Sequence, residues 1–537
     1  MTVFADERLL FEPAAPERDA VPLIFAFPND YTVGITSLGY QVVWATFASR
    51  SDVDVSRLFT DIAEPLPSNP ELMGFSVSWE LDYVNIFKLL EQLGIPLRSC
   101  DRTPAHPLVF GGGPVLTGNP EPFADFFDII LAGDGEVVLN PFLDAYQEVR
   151  DQTRSAQLKR LAQVPGIYIP SLYHVTYRDA EGAIESITPI DPDIPAIVAK
   201  QTYRGNTLSQ STVVTQHAAW ENIFMVEVVR SCPEMCRFCL ASYLALPFRA
   251  ASLEESLMPA IAQGLTVTNR VGLLGASVTQ HPEFEALLTY LNQPKYDDIR
   301  LSIASVRTNT VTEALARSLT QRGTKSLTIA IESGSEKVRQ IVNKKLTNDE
   351  IRQAATHAKA GGLKGLKLYG MAGVPGEDLS DLEATAKLLI ELKRLGPRLT
   401  FGCSTFVPKA HTPFQWFGVN PEAEKRLSQL QKQLRPQGIE FRPESYSWSV
   451  IQTLISRGDR RLAPLLELVR DYGDSLGSYK RAFKTLRRQL PPLDYYVHQN
   501  WAIDQVLPWH HLQGPLPDET LKKHLFNSGV TLNGGQY

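Results

Sequence analysis

Three of the five cysteines stand within eight positions of the chain. Cys232, Cys236 and Cys239 have the spacing CxxxCxxC and follow an apolar run that we predict to be a strand. Three thiolates from one short loop can ligate three irons of a 4Fe–4S cubane, whose irons are normally held by cysteine sulfurs. No fourth cysteine is near in the sequence, so one iron would stay open to the amino and carboxylate groups of a bound amino acid.

Other interpretations of these cysteines stay open. A structural zinc site would need a fourth ligand such as His217, although zinc motifs usually combine two closely spaced cysteines with a second, distant pair. A disulfide that leaves one free thiol is disfavoured in a reducing compartment. The cysteines can also be buried side chains without a common role, but their position directly after a strand argues against this. We therefore favour the cluster.

The motif, with Phe238 before its last cysteine, resembles that of the radical S-adenosylmethionine (radical SAM) enzymes. The resemblance implies that the open iron binds the methionine part of SAM. It also implies that one electron from the reduced cluster cleaves the sulfonium and yields a 5′-deoxyadenosyl radical, which abstracts hydrogen from a substrate. A reductant such as ferredoxin or flavodoxin would supply that electron. The protein must then hold cofactor and substrate in register and exclude solvent.

In radical SAM enzymes the ends of later strands hold the rest of SAM, and the resemblance assigns residues of this chain to that role. Besides Phe238, these cofactor-binding residues are Gly275, Ala276, Ser277, Ser305, Arg307, Glu332, Gly373, Val374 and Pro375. The first three replace the Gly-Gly-Glu of many members, so the acid is missing, but the Ser277 hydroxyl and backbone carbonyls can accept from an ammonium. Arg307 offers a planar fork for the methionine carboxylate. No residue is assigned to catalysis itself.

Several of these positions also have a purely structural interpretation. Gly275 can form a tight strand exit, and Arg307 can form a surface salt bridge. Shortly after Glu332, Ser335 is predicted to cap a helix. Glu377 is predicted to cap or solvate the helix that follows it.

Six apolar runs in the middle of the chain must position these residues. They alternate with helical patterns, such as the one within 382–396, and predict a radical SAM partial (β/α)6 barrel, similar to a TIM barrel, over residues 206–420. The predicted strands are 224–231, 270–275, 300–305, 326–333, 366–375 and 399–408. The candidate residues then lie at or just after carboxyl ends of strands, the edge where such folds bind ligands.

Residues 1–205 also alternate strand and helix, which predicts an α/β fold with a doubly wound, Rossmann-like N-terminal domain. Its predicted strands are 22–28, 72–79, 107–113 and 127–136, with a helix at 83–95. Residues 166–190 predict a β-hairpin extension with an Asp-Ala-Glu-Gly turn.

Two glycine-rich turns of this domain, GGGP (111–114) and GDGE (133–136), resemble those of the cobalamin-binding domains that precede some radical SAM cores. Domains that ligate cobalt through histidine carry Asp-x-His-x-x-Gly, which is missing here, and His106 is the one histidine of residues 1–150. Whether the domain binds cobalamin without a protein histidine stays open. The alternative is a Rossmann-like domain that covers the barrel mouth or docks a substrate.

Residues 421–537 predict a mostly helical C-terminal region, with helices at 464–473 and 478–490. The basic residues Lys480, Arg481, Lys484, Arg487 and Arg488 precede the aromatic residues Tyr495, Tyr496, Trp501 and Trp509. Basic groups with aromatics can grip RNA or a single strand. We favour a solvated helix face beside ordinary core aromatics. His510 and His511 receive no assignment.

The chain as a whole has 537 residues, of which 43% are hydrophobic and 21% charged, and a net charge of −6. This composition excludes wholesale disorder and a strong field for nucleic acid or membrane. No apolar run reaches the roughly 18 residues of a membrane helix, and the charged start argues against export, so we expect a cytoplasmic protein.

The resemblance covers most of residues 20–420, in a subgroup whose reactions are largely unassigned. We therefore predict a radical SAM enzyme that binds a 4Fe–4S cluster and SAM and acts on an unidentified substrate, whether RNA, protein or metabolite. Methyl transfer is one subset of that chemistry. The alternative is a non-catalytic iron–sulfur redox or assembly protein that retains the cluster.

Overall fold

The computed structural model describes residues 3–178, 182–304 and 306–532. Buried apolar side chains form two large cores. One core joins the N-terminal domain to the C-terminal helices, and the buried hydroxyls of Tyr83 and Tyr479 meet there at 2.8 Å. The other core lies between the strands and helices of the barrel.

The N-terminal domain is built on a six-stranded sheet with the order β3-β2-β4-β5-β6-β7. The strands of this part of the chain are β1 (Arg8–Leu9), β2 (Val21–Ala26), β3 (Val53–Leu58), β4 (Leu72–Ser76), β5 (Leu108–Gly112), β6 (Ile129–Leu131), β7 (Ile167–Tyr168), β8 (Tyr173–Tyr177), β9 (Ile184–Pro189), β10 (Val198–Ala199) and β11 (Val213–Val214). In the large sheet β2 to β6 are parallel and β7 is antiparallel. The strand order reverses between β2 and β4, so a ligand crevice is expected at their carboxyl ends.

Helices cover both faces of this sheet, which is why a strand such as β4 is almost wholly buried. They are α1 (Tyr31–Gly34), α2 (Leu38–Ala48), α3 (Tyr83–Gln92), α4 (Pro114–Gly118), α5 (Gly135–Val149) and α6 (Arg154–Leu161). Ser37 caps α2 by accepting from the Tyr40 amide, and Gly94 ends the α3 segment at φ +67°. The predicted doubly wound domain is therefore confirmed.

The predicted hairpin is present as the antiparallel pair of β8 and β9. Its Asp-Ala-Glu-Gly turn falls on residues 179–182, of which 179–181 lie outside the described residues. The short strand β1 pairs antiparallel with β11 and so ties the start of the chain to the entrance of the barrel.

The middle of the chain forms a partial parallel barrel. Its strands are β12 (Ile223–Arg230), β13 (Arg249–Ala250), β14 (Arg270–Gly275), β15 (Arg300–Ile303), β16 (Ser326–Glu332), β17 (Gly365–Ala372), β18 (Arg398–Thr405) and β19 (Glu440–Pro443). They form two four-stranded sheets, β13-β12-β14-β15 and β16-β17-β18-β19, which a parallel bridge between Val306 and Ile329 connects. All six predicted strands are among them, which confirms the barrel.

Helices pack outside the barrel strands, and most of them supply the rest of the second core, whereas Tyr243, Val338 and Ile341 belong to the first core. They are α7 (Leu240–Tyr243), α8 (Met258–Gly264), α9 (Phe284–Leu291), α10 (Glu313–Gln321), α11 (Glu336–Ile341), α12 (Asn348–Ala360), α13 (Leu379–Arg394) and α14 (Ala423–Leu434). Helix α14 leads into β19, which pairs parallel with β18 beyond the expected boundary at residue 420. The domain limits themselves stay predictions.

The C-terminal region is mostly helical, as expected. It contains α15 (Tyr446–Ser456), α16 (Ala463–Tyr472), α17 (Leu476–Thr485), α18 (Leu493–Val497), β20 (Leu512–Gln513) and α19 (Asp518–Phe526). Strand β20 pairs parallel with β10, so the tail returns to the N-terminal domain.

The basic helix of the tail ends at Thr485, short of the predicted 490, so Arg487 and Arg488 follow it, and the basic side chains are solvated as we favoured. Lys480, Arg481, Lys484, Arg487 and Arg488 are exposed, whereas Tyr496, Trp501 and Trp509 are buried and Tyr495 is half-buried. The Arg457 guanidinium lies 3.7 Å from the ring centre of Trp501, inside the core. Across the described ranges, no helix has both the length and the apolar character needed to cross a membrane.

Candidate cofactor site

The cysteine loop begins where β12 ends, at the carboxyl edge of the barrel. Ser231 and Met235 take left-handed backbone conformations, with φ of 69° and 56°. Such angles are uncommon outside glycine, so surrounding groups must hold them. Asn343 is one of these groups, because its Nδ2 donates to the carbonyl oxygens of Glu234 and Met235 at 3.0 and 2.8 Å.

Arg237, inside the motif, ties the loop to two distant segments. Its guanidinium donates to the carbonyl oxygens of Gln340 and Ile341 at 2.8 and 2.7 Å. It also donates to those of His524 and Asn527 at 2.7 and 3.1 Å. The C-terminal helix α19 therefore helps to fix the cysteine loop, although His524 is 287 positions from Arg237.

Cys232 and Cys239 lie close enough to Cys236 to influence the pKa of its thiol. Cys236 is buried, and Cys232 and Cys239 are partly exposed. Burial raises the pKa of Cys236 to about 12, Lys344 opposes this rise, and the other two thiols add to it. Metal ligation needs the thiolate, so these sulfurs need a positive charge among them. A donor set of three sulfurs on one loop fits the irons of a 4Fe–4S cluster, which would supply that charge.

His217 does not provide the fourth ligand that a zinc site would need. Its Nε2 lies 2.8 Å from Asp6 Oδ2, within hydrogen-bond distance, near the start of the chain. Within the described residues, no group of three or more His, Cys, Asp or Glu side chains is arranged to hold a single metal ion.

The end of β14 joins the cysteine loop through side chains. A Cβ at Gly275, where φ is +150°, would lie 2.5 Å from the Val229 carbonyl oxygen, so only glycine fits between the strands. Ala276 follows, and the Ser277 hydroxyl donates to Gln280 Oε1 at 2.5 Å. Gln280 in turn donates to the carboxylate of Glu234 at 2.6 Å. The strand exit is thus tight, as the structural interpretation expects, and it also touches the motif.

Arg307 is buried rather than part of a surface salt bridge. It pairs with Glu234 at 3.1 Å and donates to the carbonyl oxygens of Lys344 and Lys345 at 3.0 and 3.1 Å. Its Nε is buried without a hydrogen-bond partner among the described residues. The guanidinium therefore already anchors the cysteine loop, and its contact with a SAM carboxylate stays a prediction. Ser305 lies outside the described residues.

Glu332 ends β16 with a left-handed φ of 63°. Its Oε1 accepts from Lys344 Nζ at 2.8 Å. Burial lowers the pKa of Lys344, but Glu332 and Cys236 raise it above its ordinary value, so this lysine stays charged. Ser335 caps α11 by accepting from the Val338 amide, which confirms its predicted role.

The stretch after β17 makes a fixed turn. Gly373 has φ +80°, and its amide donates to Glu377 Oε2 at 2.6 Å. Val374 is buried, with Pro375 following. The expectation that Glu377 caps or solvates the next helix is wrong, because Asp378 caps α13 and Glu377 is buried against Arg426 at 2.7 Å.

A cavity of about 520 Å³ lies where the N-terminal sheet faces the barrel. Its lining includes Gly39, Ser76, Gly112, Gly113, Pro114, Gly133, Asp134 and Gly135 from the N-terminal domain and Glu227, Arg230, Leu274 and Gly275 from the barrel. Both predicted glycine-rich turns are there, at the switch point of the sheet. None of the described residues lining it is a histidine.

Ion pairs lie at one edge of this cavity. Asp134 pairs with Lys200, Arg249 and Arg230 at 3.2, 2.7 and 3.5 Å. Burial alone would raise the pKa of Asp134, but these cations hold it below its ordinary value. The two domains are thus joined by ion pairs at the cavity edge.

Sequence reasoning missed the residues that hold the cysteine loop, chiefly Asn343, Lys344 and Arg237. The partners of Asn343 and Arg237 lie about a hundred or more positions away, as with Asn343 and Met235, which are 108 apart, whereas Lys344 pairs with Glu332, 12 positions earlier. The one local signal is Asn343 itself, since asparagine tolerates the left-handed φ of 57° found there. Phe238, by contrast, is half-buried against the first core.

Comparisons with known proteins agree with this architecture. Residues 58–170 match the family model described as "Radical SAM proteins, N-terminal". Residues 226–389 match the model of the radical SAM superfamily. The uncharacterized protein MJ0966 of Methanocaldococcus jannaschii is 26% identical over 457 residues, which is 85% of this chain and 93% of that protein. The uncharacterized methyltransferase PH0819 of Pyrococcus horikoshii is 22% identical over 352 residues, which is 62% of this chain and 67% of that protein.

Among solved structures, the radical SAM methyltransferase TsrM from Kitasatospora setae, with cobalamin and a 4Fe–4S cluster bound, has a TM-score of 0.51. Its sequence is 12% identical, and the match covers 88% of this chain and 99% of that one. At this identity the similarity concerns the fold. The family matches and the barrel with its cysteine loop place the chain in the radical SAM superfamily of enzymes. Membership implies a 4Fe–4S cluster and SAM as cofactors and leaves the reaction unassigned.

Proposed function

We propose that Cys232, Cys236 and Cys239 hold a 4Fe–4S cluster whose open iron binds SAM, and that the protein uses SAM to start radical chemistry on a substrate. SAM, when bound, supplies the sulfonium whose reductive cleavage starts that chemistry. The observation that carries the proposal is the cysteine loop itself. It lies at the carboxyl edge of a parallel barrel and is held there by Asn343 and Arg237.

The chain's own residues then position SAM. We assign this role to the strand ends at Gly275–Ser277, Arg307, Glu332 and Gly373–Pro375, with Phe238 and Ser305 completing the set. Backbone and hydroxyl oxygens near Ser277 would accept from the methionine ammonium in place of the missing acid. The closely packed turns at Gly275 and Gly373 favour this role, since an added Cβ would lie 2.5 Å from the Val229 carbonyl oxygen at the first and 2.7 Å from the Ala423 Cβ at the second.

We further propose that the cavity between the domains binds cobalamin and that the reaction is a methyl transfer. The cavity lies at the switch point of a doubly wound sheet and opens towards the barrel. Cobalamin, when bound, supplies a methyl carrier. Since no histidine lines the cavity, the cobalt would have no imidazole ligand from these residues.

The cluster is tested by anaerobic reconstitution. We expect about four irons per chain, and alanine at Cys232, Cys236 or Cys239 should abolish or sharply reduce this content. Cys100→Ser is the matched control, because Cys100 is an exposed cysteine far from the motif in sequence. Equal iron contents in the control and in the three motif variants would contradict the ligand assignment.

Turnover is tested with dithionite and SAM. We expect 5′-deoxyadenosine, or S-adenosylhomocysteine if the reaction is a methyl transfer. Electron paramagnetic resonance of the reduced cluster should change when SAM is added. A loaded cluster with no product and an unchanged signal would instead favour a non-catalytic iron–sulfur protein, the alternative that the missing Gly-Gly-Glu acid suggests.

Cobalamin binding is tested by absorbance after incubation with hydroxocobalamin and desalting. Gly39→Phe should prevent retention, because a Cβ at Gly39 meets no atom within 4 Å and the ring would extend into the cavity. Gly477→Phe is the control, since Gly477 is likewise the second residue of its helix. Equal retention of cobalamin by both variants would show that this cavity does not bind it.

A further inference from the structure

A buried ion pair lies beside the cysteine loop. Lys344 Nζ and Glu332 Oε1 are 2.8 Å apart, and the two side chains are only 12% and 10% exposed. The Cys236 thiol donates to the Asn343 carbonyl oxygen at 3.7 Å, one residue from Lys344. The ion pair is thus formed by the residue that directly follows the one contacting this sulfur; in keeping with this position, Lys344 lowers and Glu332 raises the pKa of Cys236.

The backbone around Lys344 is fixed. Its amide donates to the Arg339 carbonyl oxygen at 2.7 Å, and its own carbonyl accepts from Arg307 at 3.0 Å. Arg339 is buried and also donates to the Leu346 carbonyl oxygen at 2.8 Å. The ammonium therefore extends from a fixed turn and is held by its ion pair with Glu332.

Resting on the proposed cluster, we propose that Lys344 and Glu332 set its reduction potential through their opposite charges. Reduction adds one electron, supplied by dithionite in the test, and so adds one negative charge to the cluster. A nearby ammonium stabilises that charge and a nearby carboxylate destabilises it. Low solvent exposure keeps water from screening either effect.

The experiment is a redox titration of the reconstituted protein without SAM, followed by electron paramagnetic resonance. Lys344→Gln should lower the midpoint potential by about 59 mV, which corresponds to a tenfold change in the equilibrium constant for one electron. Glu332→Gln should raise it by a similar amount. The double variant should return near the wild-type potential, and Lys344→Arg should keep it.

Lys345→Gln is the matched control, since Lys345 carries the same charge next in sequence but is 54% exposed. It should shift the potential far less than Lys344→Gln does. Equal shifts in the two variants, or a Lys344 effect that appears only when SAM is present, would overturn the inference; the second result would make Lys344 a SAM contact.

The variants also separate this inference from the proposed function. If the wild type binds no iron, the cluster assignment fails. If Lys344→Gln is the one variant that loses its cluster, the midpoint potential of Glu332→Gln becomes the test. A raised potential supports the inference, and an unchanged potential overturns it.

Discussion

Asn343 illustrates how one side chain can hold the backbone of the cysteine loop. It bonds two carbonyls of the motif and itself has a φ of 57°. Asn343→Gly keeps this backbone conformation accessible but removes both hydrogen bonds, worth about 1 kcal/mol each. We expect iron loss to a ferrous chelator to accelerate by up to roughly thirtyfold, the factor that about 2 kcal/mol gives.

Asn343→Ala, compared with Asn343→Gly, distinguishes the effect of the lost hydrogen bonds from that of the backbone conformation. It removes the same two bonds and also places a Cβ in the left-handed region, at a further cost of about 1 kcal/mol. We expect it to lose iron at least as fast as Asn343→Gly and to unfold at a lower temperature. Iron retention like that of the wild type in both variants would show that the loop does not depend on Asn343.

Among the elements, the α14–β19 unit stabilises the site from outside the predicted barrel. Arg426 on α14 forms an ion pair with Glu377. Burial raises the pKa of Glu377, and its carboxylate accepts a hydrogen bond from the Gly373 amide. Arg426→Met would leave this carboxylate buried and unpaired, so we expect the free energy of unfolding in urea to fall by about 3 to 5 kcal/mol. Arg426→Met combined with Glu377→Gln should recover part of the loss, and no recovery would contradict the pairing.

The elements also show what sequence can predict here. The barrel strands were predicted because each carries closely spaced apolar residues, at alternate positions in β16 and β18, and these side chains are buried in the second core. The role of Glu377 was predicted wrongly because its partner Arg426 is 49 positions away, beyond any local pattern. The same reason hides Arg237, whose partners include His524. Which segments form strands follows from local sequence, whereas the contacts that join strand ends follow from tertiary packing.

At the scale of the whole molecule, the C-terminal region binds the N-terminal domain through a buried polar cluster. Glu121 accepts from Tyr168 at 2.5 Å and from Arg460 at 2.9 Å. His511 lies 3.6 Å from Glu121, and its ring nitrogens have no hydrogen-bond partner among the described residues. The Tyr168 and Tyr173 rings pack against His511. This cluster connects segments that lie before and after the barrel in sequence.

His511 makes the stability of this assembly depend on pH. Burial lowers the pKa of His511 from 6.5 to about 4; Glu121 raises it, and Arg460 and His510 lower it further. The unfolded chain therefore takes up a proton near pH 6.5 and the folded chain only near pH 4, so acidification through this window favours unfolding. His511→Asn should remove up to about 3 kcal/mol of that loss, measured as the free energy of unfolding in urea at pH 7 and pH 4.5. His510→Asn, at an exposed neighbour whose effect on the pKa of His511 is the smallest, should change the pH dependence far less, and the same slope in both variants would contradict the role of His511.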